Sequence, residues 1–548
     1  MITRLTILLC AVITFSGLVT GCATTAGNEN LPEGTLKVGW GRRSIAMPGP
    51  VPIVGQMHLR VSQGQFTPML TEALALEDGK DAVIFVCCDV ASVDQVVLAE
   101  VQEALKKELP GFPVEKLIIS ATHTHAGPST YTIDTSYPNK MKITPAREVQ
   151  LFIVRQIVDA VKEAWEKRAP GAVAYGYGFA TTGHNRRVIY SEDISLREAG
   201  GKPGVAVNGH GKMYGKTNDP LFSHFETGAD PYINLLYTFD LNGKLTGAVI
   251  NVPCPAQTNE WGWGLYASFW DNVRRKLRAK YGDIGIIGQA AGAGDMAPRQ
   301  LYYLNAEKRR YRLKYEKEIA AYLENPMPRY ARKGDPPPKI DPESKEVIEH
   351  MRSEDIASRI VAAFDEVLGW AAKEKFTSPV LKHEARTIKV ARRLFPRELV
   401  EEEQRKYKAT MEEKFLTEGD EYTMLYHNSR LSSRRKRLAR VTERQALQEK
   451  EPELLTDIHV VRIGDIAFAS NRFELFIDFM HRIQARSPFT QTFIVQLTAD
   501  PRGKGSYLAT ERALKNKGYS ASPYCNQASP EGGQQLVEET LKVLKELK

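Results

Sequence analysis

The chain has 548 residues, of which 42% are hydrophobic and 26% charged. That is an ordinary globular composition and leaves no room for a low-complexity protein. The formal net charge of +8 is mild for the length and does not by itself point to nucleic acid, and six cysteines make no disulfide framework in so long a chain.

The N-terminus runs from a charged start at Arg4 through an apolar stretch over residues 5–19 to Val19-Thr20-Gly21-Cys22, the order of a secretory signal. The tetrapeptide resembles a bacterial lipobox, whose cysteine becomes the lipidated first residue of the mature protein. Residues 1–22 are expected to be a lipoprotein signal peptide and 23–35 a tether. The protein is then expected to be exported and held on the bacterial membrane through Cys22, in the periplasm or at the cell surface. The apolar stretch is too short for a retained span. Further on, residues 82–88 read as a buried strand, 91–109 as an amphipathic helix, 116–120 as the next strand and 149–168 as a strong amphipathic helix ending at Pro170. This alternation predicts an α/β domain with a mixed or parallel sheet sandwiched by helices. Residues 234–240 and 245–252 alternate around Asn242-Gly243, a hairpin signal, and 284–289 is a buried strand running into Gly292-Ala293-Gly294.

Composition then shifts. Residues 306–374 and 396–451 are charged and helical in pattern, with a Pro-rich loop at 335–339. They are expected to form a helical insertion, about 306–451, with solvated faces and outside the catalytic core. The run Arg-Leu-Ser-Ser-Arg-Arg-Lys-Arg-Leu-Ala-Arg over 430–440 reads as a solvated helix face. It has no interleaved aromatics, which argues against single-stranded nucleic acid. Strand patterns return at 458–463, 466–470 and 493–497, and residues 532–548 form a final amphipathic helix.

Chemistry concentrates where strand patterns end. Ser120-Ala121-Thr122-His123-Thr124-His125-Ala126-Gly127-Pro128 carries two of the chain's 11 histidines. In an extended backbone positions i and i+2 share a face, so both imidazoles are expected to emerge together where ligands bind in open α/β sheets. Imidazole is the commonest metal ligand and the usual acid/base near neutrality. Four further loops follow strand patterns and are expected to converge with it at one sheet edge: Thr182-Gly183-His184-Asn185-Arg186-Arg187, Val252-Pro253-Cys254-Pro255-Ala256-Gln257, Gly292-Ala293-Gly294-Asp295-Met296-Ala297 and Ser470-Asn471-Arg472-Phe473-Glu474. Cys87 and Cys88 read as small core residues.

Taken together these loops resemble the catalytic domain of the neutral/alkaline non-lysosomal ceramidases, most closely at Ala-Thr-His-Thr-His-Ala-Gly-Pro. Supporting patches are Gly39-Trp40-Gly41, Asn185-Arg186, Gly228-Ala229-Asp230-Pro231, Gly294-Asp295, Arg462-Ile463-Gly464-Asp465 and Gly505-Ser506-Tyr507. The resemblance implies a ceramidase-like catalytic domain over 36–548. It implies a zinc ion held by His123, Glu474 and Tyr507, with His125, Arg186, Asp295 and Tyr519 around it, and hydrolysis of an amide by zinc-activated water. Two positions depart from the family pattern. Cys254-Pro255 replaces a His-Pro that supplies a zinc ligand, and a thiolate there is still a competent ligand. Ala297 replaces the catalytic serine of Gly-Asp-x-Ser-Pro. The small immunoglobulin-like domain that follows in the family is expected to be missing, since the chain stops soon after Tyr507. The expected partners are a small-molecule, lipid or glycoconjugate substrate and the membrane, with no nucleic acid. The alternatives are an inactive lipid-anchored binding protein of the same fold, or a hydrolase acting on glycoconjugates or polysaccharide fragments. A structural protein built around the helical insertion is a third reading.

Overall fold

A computed structural model describes residues 32–198, 207–328 and 340–548. The lipobox with Cys22 and the Pro-rich loop at 335–339 lie outside the described residues. The strands that build the core are β1 (Lys37–Ser44), β2 (Leu70–Glu77), β3 (Ala82–Cys88), β4 (Leu117–Ala121), β5 (Ala169–Phe179), β6 (Tyr232–Asp240), β7 (Leu245–Val252), β8 (Gly285–Ala290), β9 (Leu381–Ala391), β10 (Glu453–Ile463), β11 (Ile466–Ser470) and β12 (Gln491–Val495). The principal helices are α1 (Gln95–Glu108), α2 (Ala146–Glu166), α3 (Phe269–Tyr281), α4 (Lys345–Ala371), α5 (Arg397–Glu412), α6 (Glu421–Gln448), α7 (Ile477–Arg486) and α8 (Pro530–Leu547).

Period-two alternation explains the layering. Along β3, Val83, Phe85 and Cys87 join one buried cluster while Ile84, Val86 and Cys88 join another. The apolar run is continuous because both faces are covered. The first face meets a second sheet, with Phe85 packed on Phe468 at 4.7 Å between ring centroids; the other meets α1 and α2. In β10 and β11, Val461, Ile463 and Phe468 face the first sheet, whereas Ile458, Val460 and Ala467 face α7 and α8. Helices α3 and α4 cover β6, β7 and β8. The fold is thus helix–sheet–sheet–helix. The expected mixed α/β sheet is present, but a second sheet takes one of the two faces assigned to helices.

The eight-stranded sheet has the order β8-β7-β6-β5-β1-β2-β3-β4 and the four-stranded sheet β9-β10-β11-β12. Only β7/β8, β3/β4 and β11/β12 are parallel; the remaining pairs are antiparallel. The large sheet curls until β8 reaches back toward β2 and β3. The Ile286 amide donates to Glu72 at 2.9 Å and the Cys87 thiol to the Gly288 carbonyl at 2.9 Å. Curl and stacking, rather than one open parallel edge, bring the strand-end loops together.

The predicted hairpin forms as β6 and β7, with Gly243 at φ +81° in its turn. The expected helical insertion is interrupted. Residues 381–391 form β9, an edge strand of the second sheet whose buried Leu381, His383, Ile388 and Val390 alternate with exposed positions. Among the described residues no helix is long and apolar enough to cross a membrane.

Candidate active site

A cavity of about 600 Å³ opens where the loops meet, lined by His123, His125, Arg186, Glu260, Glu474, Lys504, Tyr507 and Tyr519 among others. Backbone bonds knit its floor. Ala256 N donates to Thr122 O at 3.0 Å, Ala291 N to Val252 O at 2.8 Å, Gly294 N to Leu475 O at 2.8 Å and Arg186 N to Asp295 O at 3.0 Å.

The two histidines sit together, but not by strand alternation. β4 ends at Ala121 and His123 adopts φ +64°, a left-handed conformation that costs a non-glycine residue on the order of 1–2 kcal/mol. Their rings still meet edge to face, 5.0 Å between centroids. His123 Nδ1 bonds the Ala91 carbonyl. A carbonyl only accepts, so Nδ1 carries a hydrogen. Nε2 is buried without a hydrogen-bond partner, 3.5 Å from a Glu474 carboxylate oxygen.

Glu474 and Tyr507 are direct partners in a two-stranded parallel ladder, Glu474–Leu475 against Tyr507–Leu508, so their side chains leave the same face. Burial alone would push the Glu474 carboxyl up, but His123, Lys504 and Arg186 hold it at about 2. Burial, reinforced by Glu474, drives the Tyr507 phenol well above its ordinary value. Arg186 donates to Tyr507 Oη at 3.2 Å, Tyr214 Oη at 3.2 Å and Gly294 O at 2.8 Å. Burial opposes its charge, but Tyr507, Tyr214 and Glu474 more than offset that and keep it a cation.

His125 has its own support. Nδ1 bonds Glu260 at 2.7 Å, and Nε2 accepts from the Gln257 amide at 2.8 Å. Burial lowers its pKa while Glu260 opposes that shift, so the resting ring is neutral. Gly55 closes the pocket around it. At φ +108°, its missing Cβ would lie 2.4 Å from the His125 ring, so no side chain fits.

Of the remaining expected residues Tyr519 adjoins this cluster, its ring edge-on to Tyr507 at 6.3 Å between centroids. Tyr519 lines the cavity, its hydroxyl 3.9 Å from Met57 Sδ. Asp295 is fully buried and does not reach the cavity. It accepts from Ile477 N at 2.9 Å, at the start of α7, and from Asn185 at 3.0 Å, and burial raises its pKa to about 6. Cys254 is packed in the apolar cluster with Ile250, Phe269 and Trp270 and does not line the cavity. Its thiol points to the Pro255 carbonyl at 3.4 Å, and burial pushes its pKa up. Ala297 pairs with His184 in a short buried ladder. Among the described residues no group of three or more His, Cys, Asp or Glu side chains is placed to hold a metal ion.

Sequence reasoning missed Glu260, Tyr214 and Lys504, and gave Gln257 no role. The run Asn259-Glu260-Trp261-Gly262-Trp263, an acid among tryptophans and glycines just beyond the Cys254 loop, was the available signal. It also missed one whole wall. Helix α6 lines the cavity with Ser429, Ser432, Ser433, Lys436, Arg437 and Arg440, at spacings i, i+3, i+4, i+7, i+8 and i+11, one helix face. The face read as solvated and outside the catalytic core fronts the cavity instead.

The two stacked, helix-covered sheets with a cavity at their loop ends have the fold of a known class of hydrolase. The structure matches the crystal structure of neutral ceramidase from Pseudomonas aeruginosa with a TM-score of 0.59 at 16% identity, covering 93% of this chain and 75% of that one. A structure described as ceramidase complexed with C2 matches with the same figures. In sequence, residues 57–191 match the family described as neutral/alkaline non-lysosomal ceramidase, N-terminal. The P. aeruginosa neutral ceramidase is 25% identical over 168 residues, 30% of this chain. That alignment spans about a fifth of the relative's length, 21%. These findings bear out the resemblance to the neutral/alkaline non-lysosomal ceramidases, in sequence over residues 57–191 and in fold over most of the chain.

Proposed function

We propose that the protein is a metal-dependent amide hydrolase acting on N-acyl compounds, with His123, Glu474 and Tyr507 holding a zinc ion. The observation that carries this reading is the orphaned, buried Nε2 of His123 beside an ionised Glu474 carboxylate. An imidazole whose other nitrogen is fixed by a carbonyl is the usual state of a metal ligand, and nitrogen with carboxylate and phenol oxygens suits zinc. The chemistry such an ion supplies is Lewis-acid polarisation of a carbonyl and a lowered pKa for water. Cys254 is left out of the proposed donor set, because its thiol is packed in the core.

The chain's own groups supply the rest. With the Gln257 amide displaced from Nε2, the neutral His125 ring takes a proton from the attacking water, and the Glu260 carboxylate stabilises the imidazolium that results. The same ring then returns the proton to the departing amine. The buried Arg186 cation orients the scissile carbonyl and stabilises negative charge that develops on it. Position 297 carries no hydroxyl, so no acyl group is passed to the protein there and water is the nucleophile.

The test combines zinc analysis of the purified protein with a screen of N-acyl substrates that includes short-chain ceramides. Stoichiometric zinc that is lost in His123→Ala but kept in Cys254→Ala, together with turnover that follows zinc content, supports the proposal. Zinc-free protein with turnover unaffected by His123→Ala overturns it, and no turnover on any substrate leaves the binding-protein reading. We also propose anchoring through Cys22, which metabolic palmitate labelling of wild type against Cys22→Ala tests.

A further inference from the structure

The cavity carries an excess of positive charge that an uncharged amide does not require. Its described lining holds five basic side chains, Arg186, Lys436, Arg437, Arg440 and Lys504, against three acidic ones, Asp134, Glu260 and Glu474. Asp134 is taken up by Lys436 at 3.0 Å and Ser432 at 2.8 Å, and Glu260 by His125 at 2.7 Å. Among the described residues Arg437, Arg440 and Lys504 have no carboxylate within ion-pair distance. Arg437 is half-buried, and its guanidinium meets Met57 Sδ, the Ser433 carbonyl at 3.3 Å and the Tyr524 ring. Lys504 stands over the Tyr131 ring at 4.7 Å. A half-buried guanidinium facing a cavity without a counter-charge is a group whose partner comes from outside the chain.

We propose that the α6 wall, with Lys504, is a subsite for an oxyanion substituent (phosphate, sulfate or carboxylate) carried by the N-acyl substrate. Arg437 and Arg440 lie one turn apart on the same helix face, so both forks can reach one tetrahedral anion. The hydroxyl of Ser433, on the preceding turn of that face, supplies a neutral donor beside them. This inference rests on the proposed amide hydrolase and adds the charge of its substrate.

Calorimetric binding tests it without turnover. The probes are hexanoyl-ceramide and its phosphate ester, N-acetylglucosamine and its sulfate ester, and inorganic sulfate alone. Each is titrated into wild type, Arg440→Gln and Arg437→Gln/Arg440→Gln. The expected result is that at least one ester binds about tenfold more tightly than its uncharged parent at low salt. The preference should shrink as ionic strength rises, nearly vanish in the double variant, and persist in His123→Ala. A preference confined to the ceramide pair assigns the oxyanion to a lipid headgroup, and one confined to the sugar pair assigns it to a carbohydrate. Free sulfate that competes with the ester shows that the subsite recognises the anion itself. Equal affinity for both members of each pair, or a preference that survives the double variant, overturns the proposal. Arg440 is exposed, so its single variant folds and must weaken the preference on its own. A failed substrate screen leaves this charge preference readable, so the two readings fail separately.

Discussion

The cavity has two walls built on opposite principles. One is made of strand-end loops: His123, His125, Arg186, Glu474 and Tyr507 are held by backbone ladders and by side chains that are themselves buried. The other is a single face of α6, whose serines and cations project from a helix packed through Leu431, Leu438 and Val441 on its far side. Groups on the first wall are paired to one another, whereas on the second Arg437 and Arg440 have no acidic partner among the described residues. The contrast separates chemistry from recognition. A fixed, mutually paired cluster suits a reaction, and unpaired cations suit a ligand that brings its own charge.

Substitutions can break that contrast, and the largest effect belongs to the strand-end wall. Glu474→Gln should lower kcat about a thousandfold and release zinc, read by steady-state kinetics and metal analysis; retention of either would remove Glu474 from the reacting cluster. Asp295, beneath the same wall, should report in stability rather than turnover. Its pKa rises from 3.8 unfolded to about 6 in the fold, so the folded state holds the proton more tightly. Stability is uncompromised below about pH 4 and declines as pH climbs to about 6, by on the order of 3 kcal/mol in total. Urea unfolding from pH 4 to 8 should show Asp295→Asn without this component, and parallel pH profiles for the two proteins would refute it. Gly55→Ala should cost about a hundredfold in kcat, because the added Cβ displaces the His125 ring, while zinc content stays unchanged. Smallest of all, Arg440→Gln should change turnover of an uncharged amide less than about twofold, since an exposed cation contributes little without a charged partner. A larger loss on a neutral substrate would place the helix wall in the chemistry and erase the distinction.

Legibility in the sequence divided along the same line. The His-Thr-His run, Arg186 and Glu474 stand out because reactive residue types gather just past apolar strand patterns, whereas Tyr507 is implied only by the resemblance. The reason given for the paired histidines was nevertheless not the one the fold uses: the strand stops at Ala121 and His123 turns left-handed. Cys254 is expected among the ligands because it stands where the resembled family has a ligating histidine, and its loop does reach the floor of the site. Its side chain turns into the core, a choice that the packing of Phe269 and Trp270 makes and local sequence does not. The α6 face was read as solvated because a polar helical stripe has the same period whether it faces bulk solvent or a water-filled cavity.

Local patterns determined the elements themselves. Alternation set the strands, amphipathic spacing set α2 and α8, and Asn242-Gly243 set the hairpin, because each depends on neighbours within a few residues. The tertiary structure decided the second sheet's place on the first, the curl that brings β8 toward β2 and β3, and the pairing of Glu474 with Tyr507. It also decided that a basic helix forms a wall of the site. Those outcomes depend on which buried faces match across hundreds of residues, and that information is carried by packing rather than by any one stretch of chain.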